Sequence, residues 1–97
     1  MTNKQTANAF AIANSYGNAP KTTTAKNANG SLYFIGDTIY SYGYHFPIAR
    51  IIQGNNPTVL FTTRKYSVTT AKHKNDVMRA LQENGYNNIM LVENVIN

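Results

Sequence analysis

The spacing of apolar positions changes twice along this chain. In "TNKQTANAFAIANSYG", residues 2–17, Ala9, Ile12, Ala13 and Tyr16 recur at helical spacing. Thr2 and Gln5 fit a capping box, and Gly17 is suited to stop a helix. The pattern predicts a short helix over residues 3–16, marginal alone and dependent on docking. Residues 18–30, "NAPKTTTAKNANG", have no apolar period and read as a flexible linker. From Leu32 the period shortens to two. Gly36-Asp37 separates two β-branched and aromatic runs in "LYFIGDTIYSYGYHF", as in a tight hairpin. "PIARII", residues 47–52, is a third strand, with Pro47 suited to its first position or to an edge. "QGNNPT" is a turn, and "VLFTTRKY", residues 59–66, a fourth strand. The period then lengthens again. Thr70, Lys74, Val77 and Leu81 share one helical face, with His73 and Met78 at its margins, and Gly85 closes the helix. A last strand is expected near residues 89–92.

The expected fold is α+β: an antiparallel sheet of four to five strands with one helix packed across it, in the order β-β-β-β-α-β. This domain spans residues 31–97, and residues 1–30 form an N-terminal arm. No internal repeat is present.

Composition narrows the classes. The chain has 97 residues and no cysteine, so disulfides and thiolate-metal sites are excluded. No apolar run approaches the roughly 20 residues of a membrane span, and the basic-then-apolar order of a signal peptide is missing. A soluble cytoplasmic protein is the expectation. The net charge of +5 suggests nucleic acid until it is divided. Lys4, Lys21 and Lys26 give residues 1–30 +3, with no acid. Six bases and four acids leave residues 31–97 at only +2. Ala, Asn and Thr supply 18 of the first thirty residues, so this basic arm is sparse.

Two stretches are chemically informative. In an extended strand, Thr38, Tyr40, Tyr42, Tyr44 and Phe46 form one row, and Ile39, Ser41, Gly43 and His45 the other. The tyrosine row is either half of the apolar face beneath the helix or, on the uncovered face, a platform on which bases stack. Gly43 is suited to a bulge that would break the alternation. The second stretch, "RKYSVTTAKHK", runs from a strand into a helix start that Ser67 or Thr69 would cap. Arg64, Lys65 and Lys74, with the hydroxyls of Ser67, Thr69 and Thr70, make this corner a candidate anion site. Ordinary capping explains the same hydroxyls without a ligand. Lys72 with Asp76 and Arg79 with Glu83 are opposite charges at i,i+4 on the solvent side, so the rest of the helix is not a phosphate stripe.

His73 reads as a half-buried, hydrogen-bonded histidine or as a functional partner of His45. Two histidines without a spaced carboxylate or thiol do not make a metal site. Ser67 or Ser41 with a histidine and Asp37 could be drawn as a triad, but the spacing does not support one. No catalytic residue, metal or cofactor is assigned, and the chain reads as a non-enzyme.

The strand "YSYGYHFPIA" and the segment "YSVTTAKH" together resemble a family of small proteins of bacterial and archaeal viruses and mobile elements. The residues concerned are Tyr40, Ser41, Tyr42, Gly43, His45, Phe46, Pro47, Ile48 and Ala49, then Tyr66, Ser67, Thr69, Thr70 and His73. The resemblance covers about residues 32–80. It implies a bacteriophage origin, action in the host cytoplasm and no catalytic assignment, the family's function being unknown. It also implies that the Ser-Thr-Thr-His corner and the His45 corner meet in space. Two classes of function follow. One is a nucleic-acid-associated module using the arm, the tyrosines and the positive helix start. The other is a protein-interaction module that modulates a host protein through exposed edge strands. Such edges are also compatible with a homodimer.

Overall fold

A computed structural model describes residues 1–42 and 46–96. It contains α1 (Asn3–Ala13), β1 (Thr24–Lys26), β2 (Leu32–Ile35), β3 (Thr38–Ser41), β4 (Pro47–Ile52), β5 (Thr58–Thr62), α2 (Val68–Glu83) and β6 (Asn88–Val92). The α+β class stands. The strands form a sheet ordered β1-β2-β3-β4-β5-β6, antiparallel at every pairing except the last, where β5 and β6 are parallel. The expected antiparallel sheet of four to five strands is corrected to six strands with one parallel pairing, and the expected N-terminal helix joins the helix across the sheet. The 16 residues of α2 carry the chain back to the end where β5 began, so the next strand must run the same way.

Further corrections concern the first thirty residues. Thr2 caps α1, with the Gln5 side chain bonding back to the Thr2 amide. The helix ends at Ala13 rather than near residue 16. There Asn14 turns its buried amide into the protein, donating to the Phe10 and Gly36 carbonyls and accepting from the Ala19 amide. α1 packs against α2, β1 and β2. Phe10 is fully buried, its ring tilted against Phe34 at 5.6 Å. Residues 18–30, expected as a flexible linker, contain edge strand β1, the buried Ala19 and the buried Asn27. Thr24, featureless in sequence, here gains a β-ladder partner, Ile35 of β2.

Gly36 and Asp37 make the β2–β3 turn, with positive φ (59°) at Gly36 alone, as a type II′ turn requires. A Cβ on Gly36 would lie 3.0 Å from the Ala19 carbonyl oxygen, so the incoming chain also presses close. Phe34, Ile39, Ala49 and Phe61 are mutual ladder partners and all buried, which defines the face covered by both helices. α2 contributes Thr70, His73, Val77, Ala80 and Leu81 to the interior. The stripe therefore includes His73 and leaves Lys74 at its margin, the reverse of the sequence reading. β5 ends at Thr62, not Tyr66, because the Thr62 hydroxyl donates to the Glu93 carbonyl and accepts from the Arg64 amide as the chain turns away.

The alternation in β3 runs only to Ser41. Ile39 and Ser41 face the helices, whereas Tyr40 lies on the opposite face, stacked on Tyr33 with ring centroids 5.3 Å apart. The register of β3 against β4 shifts between Ile39, paired with Ala49, and Tyr40, paired with Pro47, so Ile48 is passed over. Tyr44 of the tyrosine row, and Gly43 with its expected bulge and His45 of the other row, lie outside the described residues. Lys72 and Asp76, and Arg79 and Glu83, do not come within ion-pair distance. Among the described residues the ion pair is Arg50 Nε with Asp37 Oδ2 at 3.9 Å. No described helix is long and apolar enough to cross a membrane.

Candidate functional site

The end of β3 meets the first turn of α2 through a buried line of hydroxyls. Ser67 caps α2, accepting from the Thr70 amide, and its own hydroxyl donates to Thr70 Oγ1 at 3.1 Å. Thr70 Oγ1 lies 3.0 Å from Ser41 Oγ, and Ser41 Oγ lies 2.7 Å from His73 Nδ1. On the other side of the ring, His73 Nε2 is 3.5 Å from Ser31 Oγ. Thr70, Ser41 and His73 are all essentially without solvent exposure.

The proton positions along this line follow from its ends. The Asn29 side-chain oxygen accepts from the Ser31 amide, which fixes that oxygen as an acceptor. The Ser31 hydroxyl donates its single proton to the same oxygen at 2.7 Å. Ser31 Oγ can therefore only accept from His73, so the imidazole proton sits on Nε2. Nδ1 is then the acceptor, Ser41 donates to it, Thr70 donates to Ser41, and Ser67 donates to Thr70. Every member is satisfied with the donors pointing one way. The arrangement holds a neutral imidazole. Burial pushes the His73 pKa below its ordinary value, and the nearby Asp76 carboxylate only partly offsets this.

This line positions an exposed aromatic corner. Tyr42, directly after Ser41, has φ of 57°, a left-handed conformation unusual for a bulky residue. Its amide donates to the Ser31 carbonyl at 2.8 Å, which holds the turn. The Tyr42 ring thereby lies over His73 (centroids 5.9 Å) and beside Tyr66 (6.4 Å). Tyr66 also meets the buried Phe46 at 5.4 Å, and the Arg64 guanidinium lies 5.8 Å from the Phe46 ring centre. Tyr66 is 67% exposed and Tyr42 45%. A groove of about 440 Å³ runs along the first turns of α2, bounded by Lys65, Tyr66, Val68, Ala71 and Lys74. Lys74 Nζ donates to the Arg64 carbonyl at 2.9 Å. Its pKa is lowered by partial burial and then by the neighbouring Lys65 charge.

The residues singled out in the sequence divide accordingly. Arg64, Lys65, Tyr42, Tyr66 and Lys74 come together at this corner. Thr69 and Ser67 are exposed, but Ser67 spends its hydroxyl on capping α2 and on Thr70, whose own hydroxyl is buried. Tyr40 lies on the far face of the sheet, away from the corner. Ser41 does meet His73, but Asp37 is bound to Thr38 and Arg50 at the hairpin, so Asp37 does not join them in a triad. The described residues contain no cluster of three or more potential metal-ligating side chains. Sequence reasoning missed Ser31, Asn27 and Asn29. Asn27 is buried, accepting from the Leu32 amide and donating to Ser31 Oγ and Asn3. In "NANGS" these residues have the composition of any surface loop, and nothing there signals burial.

A family described as "Family of unknown function (DUF8033)" matches residues 6–91. The match begins within α1 and ends within β6, so it takes in both the hydroxyl line and the aromatic corner. No curated protein and no solved structure matches the chain.

Proposed function

The chain belongs to this family of unknown function, and on that premise we propose that it is a non-enzymatic binding module that associates with nucleic acid through the corner at the start of α2. The observation that carries the reading is the pairing of exposed rings with cations: Tyr66 and Tyr42 stand open beside Arg64, Lys65 and Lys74. Bases stack on such rings with about 1–3 kcal/mol each, without a sequence requirement, and the cations meet the phosphates between them. Single-stranded nucleic acid fits better than duplex, because its bases are free to stack. The reading moves the weight from the sparse basic arm to the corner. Lys4, Lys21 and Lys26 are exposed and add only diffuse positive charge. The resemblance to small virus-encoded proteins supports, as part of this proposal, a bacteriophage origin and action in the host cytoplasm.

The experiment is fluorescence anisotropy of the protein with labelled single- and double-stranded oligonucleotides across a salt series. The reading expects tighter binding to single strands and a shallow slope of log affinity against log salt, near −1 to −2, for the few phosphates engaged. No binding at the lowest salt overturns it. A second reading has its own observation: Val68, 79% exposed, joins Tyr66 and Ala71 in making the groove apolar as well as cationic. That surface fits an acidic peptide of a host protein, which would make the chain a modulator of that protein. Anisotropy with an acidic, aromatic-containing peptide separates the two.

A further inference from the structure

The two edges of the sheet are built differently. β1 is three residues long and carries Lys26, and a short, charged edge resists pairing with other chains. β6, "NIMLV", has five residues, no charge and no proline. Met90 is 53% exposed and Leu91 63%, one on each face of the strand. The Val92 carbonyl accepts from the Thr63 amide of the β5 side. Backbone groups alternate along a strand, so Val92, Met90 and Asn88 point inward, and the amides and carbonyls of Ile89 and Leu91 point outward. Among the described residues no strand lies beyond β6. On the helix face, a groove of about 550 Å³ beside this edge is lined by Met78, Gln82, Tyr86, Ile89 and Leu91, with no charged residue.

We propose that β6 pairs antiparallel with β6 of a second copy of this chain, across a twofold axis at Met90, joining the two sheets into one. The strand matches itself in this register. Ile89 faces Leu91 of the other copy as the hydrogen-bonded pair, so all the outward amides and carbonyls find partners. Met90 faces its own counterpart as the non-hydrogen-bonded pair. Asn88 faces Val92, and all five residues are used. Shifting the register by one residue would bring inward-pointing backbone groups to the interface, and shifting by two leaves part of the strand unpaired. The Leu91 side chain of each copy comes down beside Ile89 of the other, at the mouth of the uncharged groove. A nucleic acid is not the occupant, because neither strand nor groove offers it a cation. A second copy requires no other chemistry than the edge itself provides, and the interface is of the isologous type that closes as a dimer.

The chain has no cysteine, which makes the test clean. Met90→Cys places two thiols at a non-hydrogen-bonded pair, where Cα atoms are about 4.5 Å apart, within disulfide range. Val68→Cys, at the start of α2 and more exposed than Met90, is the control. Under oxidised glutathione, Met90→Cys is expected to form a covalent dimer at least tenfold faster than Val68→Cys. The native protein should show a dimer mass by light scattering, and Leu91→Asp a monomer mass with unchanged circular dichroism. Equal cross-linking rates for the two cysteine variants, or a monomeric native protein at NMR concentrations, overturn the proposal.

Discussion

Replacing Ser41 by alanine tests the direction of the buried hydroxyl line as well as its existence. Ser41 is fully buried, and its hydroxyl both donates to His73 Nδ1 and accepts from Thr70. The variant therefore leaves an imidazole acceptor and a hydroxyl donor stranded together without water. Each stranded group costs about 1–3 kcal/mol, so the variant should lose roughly 2–6 kcal/mol. Thr70→Val is the comparison. It preserves shape and strands less, because Ser41 still donates to His73 and the exposed Ser67 can turn to water. It should cost about 1 kcal/mol. The difference between the two variants, about 1–5 kcal/mol, is roughly 4–40 °C in Tm for a chain of this length. Urea unfolding followed by circular dichroism gives both free energies, and ¹⁵N correlation of the imidazole gives the tautomer directly. The account requires an Nε2–H imidazole in the native protein. An Nδ1–H imidazole, or a Thr70→Val loss as large as that of Ser41→Ala, would refute the proton assignment.

Two further outcomes follow from the same geometry. The lowered His73 pKa means the folded state binds a proton less readily than the unfolded chain does. Stability should be complete above the unfolded value of about 6.5 and fall as pH drops below it. Tm measured between pH 7 and 5 should show this decline, and His73→Gln should flatten it; an undiminished decline in the variant would assign it elsewhere. Phe10→Ala removes a fully buried ring that bridges α1 and β2, at an expected cost of about 3–5 kcal/mol. The whole protein should then unfold in one earlier transition. An unchanged main transition with only helix signal lost would mean that α1 is a detachable appendage.

Local signals in the sequence were read correctly where chemistry is local. The capping box at Thr2, the Gly36-Asp37 turn, Pro47 at the head of β4, the Ser67 cap and Gly85 after α2 each depend on residues a few positions apart. What was not legible depends on partners far away in sequence. β1 is a strand only because β2 lies beside it, and the direction of β6 is set by the length of α2 rather than by its own residues. The inward placing of His73 on α2 has the same origin. A helical period places His73 and Lys74 on adjacent faces with equal right, and the choice is made by Ser41 and Ser31, 32 and 42 residues away. Two motifs that stand apart in the sequence thus meet at Ser41 and His73. The corner's aromatics were legible as residue types, but the left-handed Tyr42 that aims one of them was not. A tyrosine gives no hint of positive φ.

The most direct test of the account is the affinity of Tyr66→Ala for a labelled single-stranded oligonucleotide at fixed low salt. Tyr66 is exposed, so the fold should persist with Tm nearly unchanged. Loss of one stacking contact predicts a weakening of about 5- to 150-fold. Affinity equal to that of the native protein would contradict the placement of the binding surface at this corner.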